Sequence, residues 1–315
     1  MNRTKAEIDP RSLASAGFGS SYRALRSENS PAANQTRVAP CSSRKNESII
    51  FFSRWTKPRF DPERIDWLFS HFSWLLENYE GHASFLRNYH LIMPGSKDFP
   101  VSTKVPSLQV EQVFRSIMGH MGMGNWTVTL VPMTDGNTPS AESFEKDTSE
   151  HSMGYSSDGV AGYFHLDLWG RAKVGYGTNL TNDFTTLVAV LSHEASHYLL
   201  TKSITVMPGG WKDLEPVTDL TAIFTGFGLF QANTASVVYH SAAGQAASNT
   251  GYLPESGRAY ALAIFSELSM LDPEFVAKQL RPNPRASYRA AIEDIRNHRW
   301  SEMKQLELAV NLRNW

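Results

Sequence analysis

The 315-residue chain predicts an α+β fold, a small sheet packed on one helix and followed by a mainly helical C-terminal part. Three observations carry this. Two stretches read as strands: WTVTLVP (126–132), which alternates apolar and polar residues, and GVAGYFHLDLW (159–169). Apolar residues recur at helical spacing in two segments before these strands and in every long segment after residue 182. Strands and helices are thus segregated along the chain instead of alternating as βαβ units.

Composition sets the outer limits. Hydrophobic residues make up 41% and charged residues 19%, as in a globular protein with a sizeable core. A net charge of -1 gives no general basic field of the kind that draws proteins to nucleic acid or anionic membrane, so neither partner is expected. There is no apolar run long enough to cross a bilayer and no secretory h-region, so a cytoplasmic protein is expected. Cys41 is the single cysteine, which excludes an internal disulfide and a cysteine-rich metal site. Any metal must be held by histidine and carboxylate.

Residues 1–47 carry eight Lys or Arg against four acids and few large apolar residues, which predicts a disordered, mildly basic tail. Glu7, Asp9 and Glu28 argue against a transit peptide. One domain is expected over 48–315, with a helical subdomain from about 240 and order beginning near SIIFFSRW.

Asp61 caps the first helix, with Pro62 at its first position. Ile65, Leu68, Phe69, Phe72, Leu75, Leu76 and Tyr79 fall on its inner stripe. Residues 93–106 form a loop, and Ser107 opens a second helix with Val110, Val113, Phe114, Ile117 and Met118 inward. The segments 134–158 and 170–182 read as loops. A helix capped at Thr181 or Asn182 then carries DFTTLVAVLSHEASHYLLTK. After a break at MPGG (207–210) comes a helix through EPVTDLTAIFTGFGLFQAN, where Ala222 and Gly226 would let another element approach closely. Four more helices follow: PESGRAYALAIFSELSML, DPEFVAKQL, PRASYRAAIEDIRNH, and a last one from Ser301.

The chemistry concentrates in HEASH, residues 193–197. Residues four apart share a helix face, so His193 and His197 project together and can chelate one ion. Glu194 sits about 100° further round the helix, placed to reach a water on that ion. Hydrolysis needs this set: two ligands, and an unligated carboxylate to take the water's proton. Leu187, Val190, Leu191 and Leu199 would make this a buried helix whatever the histidines do. A third ligand decides between the two readings. A metzincin pattern would require Gly and His where Leu200 and Ser203 stand, and Thr201 excludes a ligand one turn on. Glu215 remains, 18 residues after His197 and just before Pro216.

HEASH followed by EPVTD resembles the gluzincin pattern of thermolysin-like zinc metallopeptidases. That resemblance, covering roughly 159–232, implies zinc held by His193, His197 and Glu215, with Glu194 as general base. It implies that Asp219 accepts from a ligating imidazole, that of His193. A zinc-bound histidine commonly gives its second N–H to a carboxylate, and Glu215 and Asp219 share a helix face. The layout is also similar to a set of uncharacterised bacterial HExxH proteins that have a T-D…G-F-G segment and a later G-Y-L…Y-A-L-A, here 251–263. The downstream histidine segment of thermolysin-like enzymes has no match in this chain.

In gluzincin-like sites an edge strand beside the motif helix pairs with an extended peptide, and GVAGYFHLDL is the candidate, either for that role or as a plain core strand. An electrophile for the tetrahedral intermediate could be Tyr239, His240, Tyr252 or Tyr260; no spacing selects among them. His71, His82, His90, His120, His151, His165 and His298 lack partners at metal spacing, although His165 could face the cleft. These readings converge on a zinc-dependent hydrolase, a metallopeptidase with a peptide or protein substrate. The alternatives are a catalytically inactive, zinc-stabilised interaction protein, and a core helix that holds no metal.

Overall fold

The computed structural model describes residues 60–133, 161–167, 169–242 and 253–309, with backbone alone at Glu80 and 236–242. The expected tail (1–47), the SIIFFSRW segment and the 134–158 loop lie outside them.

Helix α1 spans Pro62–Leu75, with the Asp61 carboxylate accepting from the Glu63 N–H at 3.2 Å. All seven residues of the expected inner stripe are buried. A wide turn at Leu76–Glu80 leads into α2, Gly81–Asn88. Helix α2 carries little periodic signal, because Phe85 is its one large buried side chain. Helix α3, Pro106–His120, starts one residue before the expected Ser107, since proline is preset for the first helical position.

Three strands form the sheet: β1 Val128–Met133, β2 Gly162–Leu166 and β3 Ala172–Gly177, in the order β1-β3-β2. β1 runs parallel to β3 and β2 antiparallel to it. β3, the central strand, corrects the expected 170–182 loop. Its residues are buried on both faces except Lys173, so they do not alternate, and two glycines weaken its strand signature. Gly175 stands opposite Tyr163, whose ring occupies the space a Cβ would need, 2.0 Å away.

Helix α4, Phe184–Leu200, lies against β2 and β3 and is the most buried long element. Its cap is Asp183, not Thr181 or Asn182, which belong to a preceding 3-10 turn. The Asp183 carboxylate accepts from the Thr186 N–H at 3.1 Å and from its hydroxyl at 2.7 Å. Every residue from Thr186 to Leu200 is buried.

The segment expected as one helix from Glu215 is two. Helix α5 spans Leu214–Ala222 and α6 Gly228–Ala242, separated by a wide turn at Ile223–Phe227. Gly226, at φ +103, makes the break. The His90 carbonyl oxygen lies 2.2 Å from where its Cβ would be, and its own carbonyl accepts from the Ile92 N–H at 3.0 Å. The close approach expected here thus comes from a kink, not from a smooth helix face. The C-terminal helices are α7 Glu255–Leu268, α8 Pro273–Lys278, α9 Pro282–His298 and α10 Trp300–Glu307. They share one hydrophobic core with α1, α3 and α4, in which Phe72, Phe85, Phe224 and Phe265 are fully buried. No helix among the described residues is long and apolar enough to cross a membrane.

Candidate metal centre

Burial of α4 poses a chemical problem. His193, Glu194 and His197 are 8%, 7% and 5% exposed, and an unpaired ionisable group in such a place is costly. What lies opposite them resolves it. α5 packs against α4 and brings Glu215, itself buried, to both rings. Glu215 Oε2 is 3.2 Å from His193 Nε2, and Oε1 is 3.7 Å from His197 Nε2.

These separations can be compared with a tetrahedral ion. Ligand bonds of about 2.0–2.2 Å set neighbouring ligand atoms roughly 3.3–3.6 Å apart. The two carboxylate contacts fall just on either side of that interval, and one donor atom from each of the three residues lies within 4.8 Å of the others. His193, His197 and Glu215 are the one such group among the described residues.

The outer nitrogens of both rings are also assigned. His193 Nδ1 donates to Asp219 Oδ1 at 2.9 Å. Thr218 Oγ1 donates to the Leu214 carbonyl at 2.8 Å, so its lone pair faces His197 Nδ1, 3.2 Å away, as an acceptor. In their neutral form both imidazoles are therefore held in the tautomer that leaves Nε2 unprotonated and turned toward Glu215.

The electrostatics favour positive charge at this point. Burial opposes an imidazolium at His193, but the bonds to Asp219 and Glu215 outweigh it and push its pKa up to about 10. Burial raises Glu194 to about 8, with the His193 charge opposing and Glu215 and Asp219 adding to the rise. Burial pulls His197 down to about 4 against the field of Glu215. The carboxylates of Glu194, Glu215 and Asp219 thus draw positive charge toward the two rings.

Arg258 and Leu253 fix Asp219, Gln231 braces the arginine, and none of the three is apparent from the sequence. Arg258, 1% exposed, donates through Nη2 to Asp219 Oδ2 at 2.8 Å and through Nε to the Leu253 carbonyl at 3.1 Å. The Leu253 N–H donates to the same Oδ2 at 2.9 Å. Arg258 Nη1 reaches Gln231 Oε1 at 3.1 Å, and Gln231 Nε2 donates to the Ala189 carbonyl of α4 at 2.8 Å. A closed circuit therefore runs from α4 through Gln231, Arg258, Asp219 and His193 back to α4. The available signal was one arginine inside the apolar run GRAYALAIF.

β2 forms an edge of the described sheet and lies over the motif helix. A Cβ at Gly162 would fall 2.8 Å from Glu194 Oε1, so glycine gives the general-base candidate its room. The Phe164 ring stacks on His197, with centroids 6.0 Å apart and planes at 13°. Alternation therefore directs Gly162, Phe164 and Leu166 to the site and His165 to the opposite face, which corrects the cleft-facing expectation for His165.

Tyr260, one of the electrophile candidates, is engaged elsewhere among the described residues. It is fully buried, and its hydroxyl donates to Asp294 Oδ2 at 2.8 Å, tying α7 to α9. The side chains of Tyr239 and His240, and the whole of Tyr252, lie outside the described residues. No family model, curated protein or solved structure matches the chain.

Proposed function

We propose that the protein is a zinc-dependent hydrolase, and specifically a metallopeptidase acting on peptide or protein substrates. One observation carries this reading. His193, His197 and Glu215 converge with metal-compatible spacing, while Glu194 stands beside the two histidines on buried helix α4, outside the set. Two imidazoles and one carboxylate, with no thiolate, are the donor set of a catalytic zinc site that keeps a fourth position open.

When bound there, zinc supplies Lewis-acid polarisation of a carbonyl and an acidified water. The chain does the rest. His193 and His197 present their Nε2 atoms because Asp219 and Thr218 hold the Nδ1 sides. Glu194 accepts a proton from the attacking water and returns it to the departing amine, so that water and amide become acid and amine. β2 supplies the edge along which an extended substrate can hydrogen-bond.

The test is Glu194→Gln. The variant should bind zinc in the wild-type ratio and show no turnover of a peptide library digested by the wild type. Hydrolysis that survives this substitution refutes the role given to Glu194.

The alternative is an inactive zinc-stabilised interaction protein, which would keep the His193, His197 and Glu215 centre without turnover. A library left intact by the zinc-loaded wild type decides for it.

A further inference from the structure

The link between the two ligand helices α4 and α5, residues 201–213, is fastened at intervals by α1. Trp67, His71 and Trp74 on α1, and Asn78 in the wide turn that continues it, stand at i, i+4, i+7 and i+11 and so share one helix face. Asn78 is fully buried. It accepts through Oδ1 from the Ile204 and Thr205 N–H groups at 3.0 and 2.9 Å, and donates through Nδ2 to Thr205 Oγ1 at 2.7 Å. Trp74 Nε1 donates to the same oxygen at 2.9 Å. His71 sets Nε2 3.1 Å from the Pro208 carbonyl oxygen and stacks on Trp67, with ring centroids 3.9 Å apart. Trp67 Nε1 donates to Asp213 Oδ2 at 3.1 Å. The link therefore runs antiparallel to α1, and its last fastening falls two residues before Glu215.

That last contact departs from the usual chemistry of a helix start. Asp213 is the N-cap of α5, yet its side chain makes no capping bond to the first turn. An N-cap aspartate ordinarily accepts from a first-turn N–H and stabilises the helix by doing so. Here the carboxylate turns to the indole of Trp67 instead, across Gly209, where a Cβ would stand 1.8 Å from Oδ2. Gly209 is at φ +78, in the left-handed region that favours glycine. A forgone cap and a left-handed residue both weaken the link in isolation. Both serve one contact, between α1 and the residue that opens the helix of Glu215.

We infer that Trp67 is a positioning residue for the metal centre: through Asp213 it fixes the first turn of α5, and with it the carboxylate of Glu215. The inference rests on the reading of His193, His197 and Glu215 as ligands. Ligand distances at a metal site hold to within about 0.2 Å, whereas an unfastened helix end frays. The two imidazoles stand in the middle and last turn of the long buried helix α4, but Glu215 is the second residue of a short one. The third ligand is therefore the one whose place depends on α1.

Cobalt(II) titrated into the chelator-treated full chain tests this without turnover. Its visible absorption is intense in a four-coordinate site and weak in a five- or six-coordinate one, so it reports geometry as well as affinity. Asp213→Ser separates positioning from helix capping. Serine is a good N-cap but lacks the reach to Trp67, so the variant should match the wild type in urea unfolding while binding cobalt about tenfold more weakly, with a changed spectrum. Asp213→Asn keeps an oxygen for the indole N–H and should bind cobalt like the wild type. Trp67→Phe, which loses that N–H, should behave as Asp213→Ser does, and the double variant should be no weaker than either. Asp213→Ser with wild-type affinity and spectrum overturns the inference. So does an Asp213→Asn loss as large as that of Asp213→Ser, or losses that add in the double variant. If Trp67→Phe fails to fold, the two Asp213 variants decide alone. A wild type that takes up no cobalt sinks the metal-centre reading and this inference together. Uptake by the wild type with no change in any variant sinks the inference alone.

Discussion

Asp219 and Arg258, 39 positions apart, meet at 2.8 Å with each only 1% exposed. A buried ion pair is not in itself stabilising, because desolvation offsets much of the attraction, but deleting one partner strands the other. Arg258→Met should therefore cost about 3–5 kcal/mol in urea unfolding. Asp219→Asn combined with Arg258→Met should cost less than the sum of the single changes. Strict additivity would show that the two groups do not act as a unit.

Asp219 also sets the tautomer of His193. Asp219→Asn in the Arg258→Met background should weaken zinc binding by about 10–100-fold, read by competition with a chromogenic chelator. Thr218 has the parallel role at His197, so Thr218→Val should weaken zinc by a similar order while Thr218→Ser restores it. Equal losses in both Thr218 variants would point to packing in place of hydrogen bonding.

Metal should stabilise the fold by mass action. At a free zinc concentration a thousandfold above Kd the gain is about 4.1 kcal/mol, visible as a rise in Tm that a chelator reverses. Glu215→Ala should abolish that rise, because the remaining two imidazoles leave the ion under-coordinated. A Glu215→Ala protein with an undiminished zinc shift would exclude this carboxylate as a ligand.

Gly226→Ala should destabilise the protein by at least about 2 kcal/mol, since it combines a positive φ with a backbone oxygen in the way of the methyl group. Denaturant midpoints measure it. A neutral result would mean that the α5–α6 junction re-forms as a straight helix.

The Asp183 cap carries a pH dependence. Burial opposes its charge, but the Thr186 bonds prevail and hold the carboxyl below the usual range. The folded pKa is the lower one, so the stabilisation is present above the unfolded value and fades as pH falls through the folded value. Asp183→Ala should cost about 1 kcal/mol at neutral pH, and the gap to wild type should close in acid. A gap that stayed constant with pH would leave the carboxylate without a part in capping.

Local signals made much of this legible in the sequence. Helical stripes place the inward faces of α1 and α3, and i, i+4 spacing alone brings His193 and His197 together. Glu215 and Asp219 could be found because both are referred to one motif at fixed distances. β3 was missed because a strand buried on both faces loses its alternation. From sequence Gly226 resembles a packing glycine, because only the His90 carbonyl, 136 residues earlier in the chain, reveals the kink. Arg258 and Thr218 were invisible for the same reason: each acquires its meaning from a partner on another helix.

The circuit through Gln231, Arg258 and Asp219 ties the imidazole of His193 to helix α7. Coupling between two such events is reciprocal: whatever factor an ion adds to the docking of α7, docking of α7 adds to the ion's affinity. Partial unfolding of the C-terminal helices would therefore weaken the hold on any cation at His193, and an ion bound there would protect from proteolysis a helix that contributes no ligand atom.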